Sequence, residues 1–361
     1  MPLASKAMLK RLIYLLLILP IACVDPYQVT VPEGEQLLTV EGIISTGPGP
    51  HSISLTRSAT YGSIFEGLIR PVSLATVVVR DNEGNVTFLT EGKDDFKGTY
   101  FTPANFRAQV GKSYTLQIQT AEGKVYTSTP ERVAAVPAIQ TLETRTVTIP
   151  TEDSGVPNSG IQLIVGLKDP ADENNFYFWK TGPAVYILET RPDLFTPRPS
   201  PQNPDRTPQP KDCCDFCYKY EISNNQSLFV VTDDSFNGLN TKIPASFIAD
   251  DGFRFVNKYR VDLKQYSISQ NAYRFLRLVK QQAEISGSIF DPPPATLRGN
   301  MLSLDNPDEV VLGYFIAAGE TSKRIYVDSN DLTFKQNPAI IQDDCRLIPG
   351  SFVDPPADWR P

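Results

Sequence analysis

The stretch on which the fold prediction depends is Ile285-Ser-Gly-Ser-Ile-Phe-Asp-Pro-Pro-Pro-Ala-Thr-Leu-Arg-Gly-Asn-Met-Leu-Ser-Leu-Asp-Asn-Pro-Asp-Glu-Val-Val-Leu-Gly-Tyr-Phe315. It begins where a helical pattern ends, passes through three consecutive prolines that keep the backbone extended, and ends in an apolar run typical of a buried strand. The prolines remove three backbone donors, so we expect a rigid loop at residues 291–294 and not the middle of a sheet. Arg298, Gly299 and Asn300 have the composition of a turn. The stretch therefore connects a helix to a strand and is also a candidate binding loop.

The helical pattern that precedes this stretch covers residues 269–284. Ser267-Ile-Ser-Gln270 fits a capping box, and apolar residues recur on one face from Ala272 to Ala283. This is the one amphipathic helix that the sequence predicts. We interpret its other large side chains as a solvated face: Tyr273, Arg274 and Arg277.

Short strands separated by turns dominate the remaining chain, which predicts a mainly β fold. The 31 prolines and 22 glycines among 361 residues favour many short strands over long helices. Seven or so strands within residues 36–136 predict an Ig-like β-sandwich. Residues 137–350 predict a larger β-rich domain that contains the helix, with its final strands at 309–318 and 324–327. Residues 351–361 predict a Pro-rich acidic tail whose Trp359 would anchor it to the body or to a partner.

A Pro-rich segment interrupts the second domain at residues 191–211. It contains seven prolines among polar residues, which predicts a long surface loop. Long loops often carry function, so this loop is a candidate contact surface. It ends beside a cluster of cysteines, which suggests that it is pinned there.

The first 22 residues have the features of a secretory signal peptide. Basic residues precede an apolar run at 12–19, which is too short for the roughly 20 residues that a membrane-spanning helix needs. Pro20-Ile-Ala-Cys23 is similar to a lipobox, so we expect cleavage before Cys23 and acylation of that residue. Several acyl chains at one cysteine would anchor the protein stably to a membrane through a tether at residues 23–35.

The charge balance makes nucleic acid a poor partner. The formal net charge is −7, and residues 1–22 contain basic but no acidic residues, so the exported chain would be still more acidic. An acidic surface repels phosphate backbones and anionic membranes.

Four cysteines remain for an exported chain, and an even number suggests two disulfides: Cys213, Cys214, Cys217 and Cys345. A bond between the neighbours Cys213 and Cys214 would be strained. We therefore expect Cys345 to pair with one of those two neighbours, which would tie the tail to the middle of the chain. The alternative is a zinc site of four thiolates, because Cys214 and Cys217 have Cys-x-x-Cys spacing.

Few residues in the sequence point to catalysis. His51 is the only histidine, which is too few for a zinc triad, and we interpret it as an ordinary strand residue. No nucleophile elbow, phosphate loop or dinucleotide fingerprint is present, so we expect no cofactor and no enzyme activity. Two alternatives stay open: paired carboxylates that meet only in the fold, and a calcium site in an acidic turn. The turn's oxygen-bearing residues are Asp169, Asp172, Glu173 and Asn175.

Three sequence elements carry a resemblance to a known family: Gly287-Ser-Ile-Phe-Asp-Pro-Pro-Pro294, Gly299-Asn300 and Val310-Val-Leu-Gly-Tyr-Phe315. They resemble the DUF4249 family of Bacteroidota lipoproteins, whose function is unknown, and Asp25-Pro-Tyr after Cys23 is similar to that family as well. Residues 36–136 are similar to carboxypeptidase-regulatory-like and transthyretin-like sandwiches, which implies a structural or adhesive domain. The following motif residues form a possible interface: Phe290, Asp291, Pro292, Pro294, Gly299, Asn300, Gly313, Tyr314 and Phe315.

The resemblance implies a function and a cellular location. Members are typically encoded beside TonB-dependent outer-membrane receptors, so the expected protein is a non-enzymatic accessory subunit anchored on the cell-surface face of the outer membrane. The alternatives are an independent glycan- or peptide-binding module and a structural lipoprotein of envelope assembly. Exposed Trp or Tyr platforms would favour glycan binding, whereas a large apolar patch would favour a receptor partner.

Overall fold

The computed structural model describes residues 36–58, 70–149, 158–222, 228–284 and 297–360. Over these residues the architecture is mainly β with one α-helix, which confirms the fold class expected from the sequence. The predicted signal peptide, Cys23 and the tether at 23–35 lie outside the described residues. So do four of the motif residues: Phe290, Asp291, Pro292 and Pro294.

Many strands and one helix follow one another along the chain. In order, the strands are β1 (Leu38–Ser45), β2 (Ser52–Arg57), β3 (Arg70–Pro71), β4 (Thr76–Asp81), β5 (Val86–Phe88), β6 (Thr90–Glu91), β7 (Thr99–Phe101), β8 (Ser113–Gln119), β9 (Val125–Ser128), β10 (Glu131–Arg132), β11 (Thr141–Ile149), β12 (Asn158–Lys168), β13 (Phe176–Thr181), β14 (Ala184–Glu189), β15 (Phe216–Glu221), β16 (Phe229–Thr232), β17 (Asn240–Ala249), β18 (Lys258–Ser267), β19 (Met301–Ser303), β20 (Leu312–Asp328) and β21 (Ser351–Phe352). Helix α1 (Gln270–Ala283) lies between β18 and β19, and short 3₁₀ turns cover Asp94–Phe96, Pro192–Leu194, Ser329–Asp331 and Cys345–Leu347.

The strands form three sheets. The largest has the order β21-β15-β14-β18-β20-β1-β2-β7-β6, with β13 and β16 joined through β18 and with β3 on β2. The second has the order β19-β9-β8-β4-β5, with β10 on β8, and the third has the order β11-β12-β17.

Strand β20 links two groups of strands in the largest sheet. Residues 312–318 pair in parallel with β1, and residues 319–328 pair antiparallel with β18. The prediction of two separate strands at 309–318 and 324–327 is therefore wrong, because one strand runs through the polar residues between them. A polar residue in this part of β20 has its partner on the neighbouring strand β18: Lys264 Nζ lies 2.9 Å from Glu320 Oε1.

One hydrophobic core lies between the first two sheets and is built mainly, but not entirely, from the region expected to form a sandwich. Alternating residues of β1 and β2 face alternating residues of β4 and β8. The fully buried members include Val40, Ile53, Leu55, Val79, Leu116 and Ile118. Strands β19 and β20 add to the two sheets from the far end of the chain. The Ig-like assignment and the boundary at residue 136 stay predictions.

Two further cores involve the rest of the chain. The β11-β12-β17 sheet packs on the inner face of β13, β14 and β18, and this core includes Ile161, Leu163, Tyr177, Trp179, Val261 and Leu263. Helix α1 packs through Ala272 and Leu276 against Phe178, Tyr314 and Ile316. This helix matches the predicted amphipathic pattern, and Arg274 and Arg277 are exposed as expected. Tyr273 differs, since it is half-buried against Phe176.

The capping residue of α1 differs from the capping-box prediction. Ser269 is the N-cap, and its Oγ accepts a hydrogen bond from the Ala272 N–H at 3.1 Å. Ser267 is instead the last residue of β18, paired with Gly319 and Tyr177. The helix therefore begins two residues later than a cap at Ser267 would require.

Glycines bring β20 into close contact with its neighbours. A methyl group added at Gly299 would lie 1.5 Å from the carbonyl oxygen of Gly313, and one added at Gly313 would lie 2.0 Å from the carbonyl oxygen of Val40. Both obstacles are backbone atoms, which cannot rotate away as a side chain can. Three segments from distant parts of the sequence therefore approach one another as closely as backbone allows.

We expect Gly299→Ala to lower the free energy of unfolding by more than about 3 kcal/mol, because a core clash with backbone is among the most costly changes. The control is Gly182→Ala, where the nearest atom would be 3.6 Å from the new methyl group. That variant should change stability by less than about 1 kcal/mol. Urea unfolding of both variants measures the difference, and equal midpoints would refute the close-packing argument.

Candidate functional site

The described motif residues lie in the interior and hold strands together. Asn300 Nδ2 donates to the carbonyl oxygen of Phe315, and Asn300 Oδ1 accepts from the Phe315 N–H, each at 2.9 Å. Asn300, Tyr314 and Phe315 are all buried. The side-chain amide therefore makes the two hydrogen bonds to the backbone of Phe315 that a neighbouring strand would make. This happens close to the point where Gly299 crosses Gly313.

A buried carboxylate connects this motif to the helix. Glu131 is only 2% exposed, and it accepts hydrogen bonds from Tyr314 Oη and from Ser269 Oγ, each at 2.7 Å. Asn300 contributes a further hydrogen bond. Burial raises the pKa of Glu131 above its ordinary value, although these three hydrogen bonds act in the opposite direction. Burial also raises the pKa of the Tyr314 hydroxyl, with the charge of Glu131 as the next cause.

These contacts change the interpretation of the motif. Buried side chains are unavailable to a partner, so the interface prediction does not apply to Asn300, Tyr314 or Phe315. The hydrogen-bonded group of Glu131, Ser269, Asn300 and Tyr314 joins β10, α1 and β20 and satisfies the polar atoms that it buries. Its role in the described structure is to support the fold.

The cysteines pair differently from the prediction. Cys217 is bonded to Cys345, with their Cα atoms 5.8 Å apart, and Cys213 is bonded to Cys214. The expected bond between Cys345 and one of the two neighbours is therefore wrong. The reason is strand geometry: Cys217 faces inward from β15, and both it and Cys345 are buried. Because all four sulfurs are used, no thiolate is left for the zinc alternative.

The Pro-rich loop at 191–211 closes on itself and is fastened near these cysteines. The N–H groups of Gln209 and Lys211 donate to the carbonyl oxygens of Phe195 and Pro192. At its root, Thr190 Oγ1 donates to the Cys214 carbonyl at 3.1 Å. The Cys345 N–H donates to the same carbonyl, so the cysteines and the loop root form one connected structure.

Three of the five residues considered for metal binding or catalysis are buried in the fold: Asp169, Asn175 and His51. Asp169 accepts from Tyr177 Oη and from the Gly238 N–H, and Asn175 bonds to Asp233. Asp172 and Glu173 are exposed. His51 precedes β2 and is buried against Phe106, and burial lowers the pKa of its imidazole. Within the described ranges, no three His, Cys, Asp or Glu side chains converge to hold a metal ion.

An apolar cavity of about 330 Å³ lies between α1 and the strands beneath it. Its lining includes Ile43, Phe178, Phe275, Val279, Tyr314 and Ile316. Glu41 and Lys180 also line it. This largely apolar lining would suit hydrophobic groups better than acid–base chemistry.

An exposed apolar strip lies along the edge of the largest sheet. It consists of Phe216, Tyr218 and Tyr220 on β15, Ile222 just beyond it, and Phe352 on β21. Ile222 is 87% exposed, Tyr220 52% and Phe216 49%. The Phe352 ring stacks on Tyr220 and Tyr218, with centroids 4.7 and 6.0 Å away. Nearby in sequence, Leu347 and Val353 are also exposed.

The predictions from sequence did not include this strip. The available signal was the spacing of two between Phe216, Tyr218, Tyr220 and Ile222, which indicates one face of a strand. Periodicity alone does not tell whether such a face is buried or exposed. Its exposure follows from the position of β15 and β21 at the sheet edge.

Trp359 binds to the body of the protein, one of the two options that the sequence left open. Its ring makes edge contacts with Tyr218 and Tyr326, at centroid distances of 5.2 and 5.4 Å. Asp358, one residue earlier, forms ion pairs with Arg260 and Arg324. The tail therefore lies across the outer face of the largest sheet, beside the apolar strip.

In the part of the chain with described structure, we find no helix with the length and apolarity that a bilayer crossing demands.

We expect Glu131→Gln to change how stability depends on pH. Since the folded-state pKa of Glu131 is raised, its stabilising contribution is full below the ordinary pKa and is lost as pH rises through the folded-state pKa. Glutamine does not titrate. The stability of the wild type relative to Glu131→Gln should therefore fall with rising pH, by up to about 1.4 kcal/mol per pH unit between the two pKa values. Urea unfolding from pH 4 to 8 measures this, and a pH-independent difference would contradict it.

We expect the two disulfides to differ greatly in their effect on stability. The Cys217–Cys345 bond spans 128 residues, so losing it through the double change to Ser should cost about 5 kcal/mol through loop entropy. The control is the double change of Cys213 and Cys214 to Ser, which opens no loop. Thermal unfolding compares the two double variants. Similar losses of stability in both would contradict the loop-entropy argument.

Comparison with known protein families indicates the same family as the sequence motif. The model of the family described as "Domain of unknown function (DUF4249)" matches residues 24–324. A search of curated proteins found no match. Because the match covers most of the chain, including the buried motif around Asn300 and Tyr314, this protein belongs to the DUF4249 family.

Proposed function

We propose that this chain is a lipid-anchored, non-enzymatic accessory subunit that docks on a TonB-dependent outer-membrane receptor and helps it capture a nutrient. The observation that carries the proposal is the exposed apolar strip of Phe216, Tyr218, Tyr220, Ile222 and Phe352. Contiguous exposed apolar surface is a mark of protein interaction sites.

The composition of the strip favours a protein partner over a sugar. Glycan platforms depend on flat aromatic rings that are open to solvent, but Trp359 lies against Tyr218 and Tyr326. Tyr220 is 52% exposed, but its ring stacks on Phe352, with centroids 4.7 Å apart. The most exposed residue of the strip is the aliphatic Ile222, and the exposed Leu347 and Val353 lie close to Phe352 in the chain. Tyr and Phe are enriched at protein–protein interfaces, so the aromatic members of the strip fit a protein partner as well.

The sequence of the N-terminus supports the proposed location on the outer membrane. The signal-like residues 1–22 and the lipobox-like Cys23 are expected to place the chain on the outer membrane, with the cell-surface face as the proposed side. A lipid anchor confines the protein near a membrane receptor and so raises its effective concentration there. A docking strip of modest area then suffices for stable association.

The buried ionisable groups support a non-enzymatic role. Glu131 and Asp169 both use their carboxylate oxygens to bind neighbouring groups of the fold. A general acid or base must instead be able to reach a substrate.

The test is an affinity purification from detergent-solubilised outer membranes of cells that make the lipidated chain. The tag is placed in the exposed turn at Ala121 and Glu122, which leaves both Cys23 and the strip free. We expect a TonB-dependent barrel in stoichiometric amount. The double variant Tyr220→Ser, Ile222→Ser should reduce its recovery at least tenfold because it removes the most exposed apolar side chains of the strip.

The matched control is Leu74→Ser, which removes an 81% exposed leucine between β3 and β4 and should leave recovery unchanged. Cys23→Ala tests the contribution of the anchor. Recovery of the protein without a barrel, while protease still removes it from intact cells, would overturn the receptor partnership in favour of direct glycan or peptide binding. Protection from protease in intact cells would favour a periplasmic role in envelope assembly.

A further inference from the structure

The outer face of the largest sheet carries a row of side chains that crosses four strands. Tyr220 on β15 lies opposite Val185 on β14, which lies opposite Arg260 on β18, which lies opposite Tyr326 on β20. Arg324 lies two residues from Tyr326 on the same face and is paired with Asp262. The Arg260 guanidinium therefore lies between Tyr220 on one side of the row and Tyr326, with Arg324 beside it, on the other.

Arg260 is unusual for a surface-facing arginine because it is buried, with 6% of its area exposed. Among the described residues, its one ion pair is with Asp358, at 2.7 Å between Nη1 and Oδ1. A buried charge without a partner is costly, so this position requires a carboxylate.

The tail supplies that carboxylate together with an aromatic ring. The second oxygen of Asp358 lies 2.9 Å from Arg324 Nη2, and the Asp358 carbonyl accepts from Arg324 Nη1 at 3.2 Å. The Trp359 ring lies between Tyr218 and Tyr326, and the Arg260 guanidinium lies 5.7 Å from its centroid. Two neighbouring residues thus fill a site that has one charged and one aromatic half.

Little else holds this segment to the body. The Trp359 N–H bonds within the tail to Pro356, and the Arg360 N–H bonds to the Tyr326 hydroxyl. Asp354, Pro355 and Ala357 are exposed. The segment after β21 therefore adds no strand to the sheet, and its attachment depends on the contacts of Asp358 and Trp359.

We propose that this face is a recognition site for an acidic–aromatic peptide segment of a partner protein, and that the chain's own Asp358-Trp359 closes the site until such a segment displaces it. The charge complementarity of Arg260 and Arg324 selects the acidic residue, and Tyr218 and Tyr326 select the ring. This site shares Tyr218 with the apolar strip, but its charged half, Arg260 and Arg324, lies outside the strip, so peptide recognition there does not require a receptor.

Displacement is feasible because the site continues into the apolar strip. Tyr218 contacts both Trp359 and Phe352, so a longer partner segment would cover strip residues that the tail leaves exposed. An attached tail has an effective concentration on the order of millimolar. A partner segment needs these additional contacts to compete with it.

The test uses a chain that ends at Val353 and a synthetic peptide that copies residues 354–361, with binding measured by isothermal titration calorimetry. We expect the peptide to bind the shortened chain at least tenfold more tightly than it binds the full chain, whose site is closed. Peptides with Asp358→Asn or Trp359→Ala should each lose at least tenfold in affinity.

The matched control peptide carries Asp354→Asn, which removes one negative charge from an exposed residue and should bind like the original. In the shortened chain, Arg324→Gln should weaken binding, and this change at a partly exposed arginine is safer for folding than one at Arg260. If the shortened chain does not fold, the full chain with Asp358→Asn and Trp359→Ala takes its place. Failure of the original peptide to bind the opened protein, or equal binding of the Asp358→Asn peptide, would overturn the proposal.

Discussion

The close approach of β20 to β1 and to the segment at Gly299 is the constraint on which the other described features depend. Backbone atoms meet directly there, and Asn300 completes the hydrogen bonds of Phe315. Tyr314, on the same strand, donates a hydrogen bond to the Glu131 carboxylate. Ser269, the residue that caps α1, donates another to the same carboxylate. One crossing of strands therefore positions the helix, the first hydrophobic core and the start of the long pairing with β18.

This arrangement explains why a specific sequence motif need not mark a binding site. Gly299, Asn300, Gly313 and Tyr314 are demanded by close packing and by the need to satisfy buried polar groups. Substitution at such positions disturbs the fold whatever the protein binds. The surfaces that we propose for partners lie elsewhere, on the edge strands β15 and β21 and on the face that the tail covers.

Prediction from sequence succeeded where structure depends on near neighbours. The amphipathic spacing from Ala272 to Ala283 predicted α1, and the many prolines, glycines and short apolar runs predicted a mainly β chain. Prediction from sequence failed where polar residues form hydrogen bonds or ion pairs with residues that are distant in the chain. Glu320 interrupted the expected strand because nothing local shows that Lys264 and Ser45 lie beside it. The cysteine pairing failed for the same reason, since the inward orientation of Cys217 depends on how β15 joins the sheet.

By itself, the sequence determined the mainly β class, the one described helix, the acidic charge and the family, because composition and short-range periodicity are written in adjacent residues. Tertiary structure alone decided which faces are buried. It placed Tyr314 inside, left Tyr220 and Ile222 exposed, joined Cys217 to Cys345, and set Trp359 beside Arg260. The physical reason is that successive side chains of a strand point to opposite faces. Only the pairing of the strand with remote segments determines which of the two faces meets water.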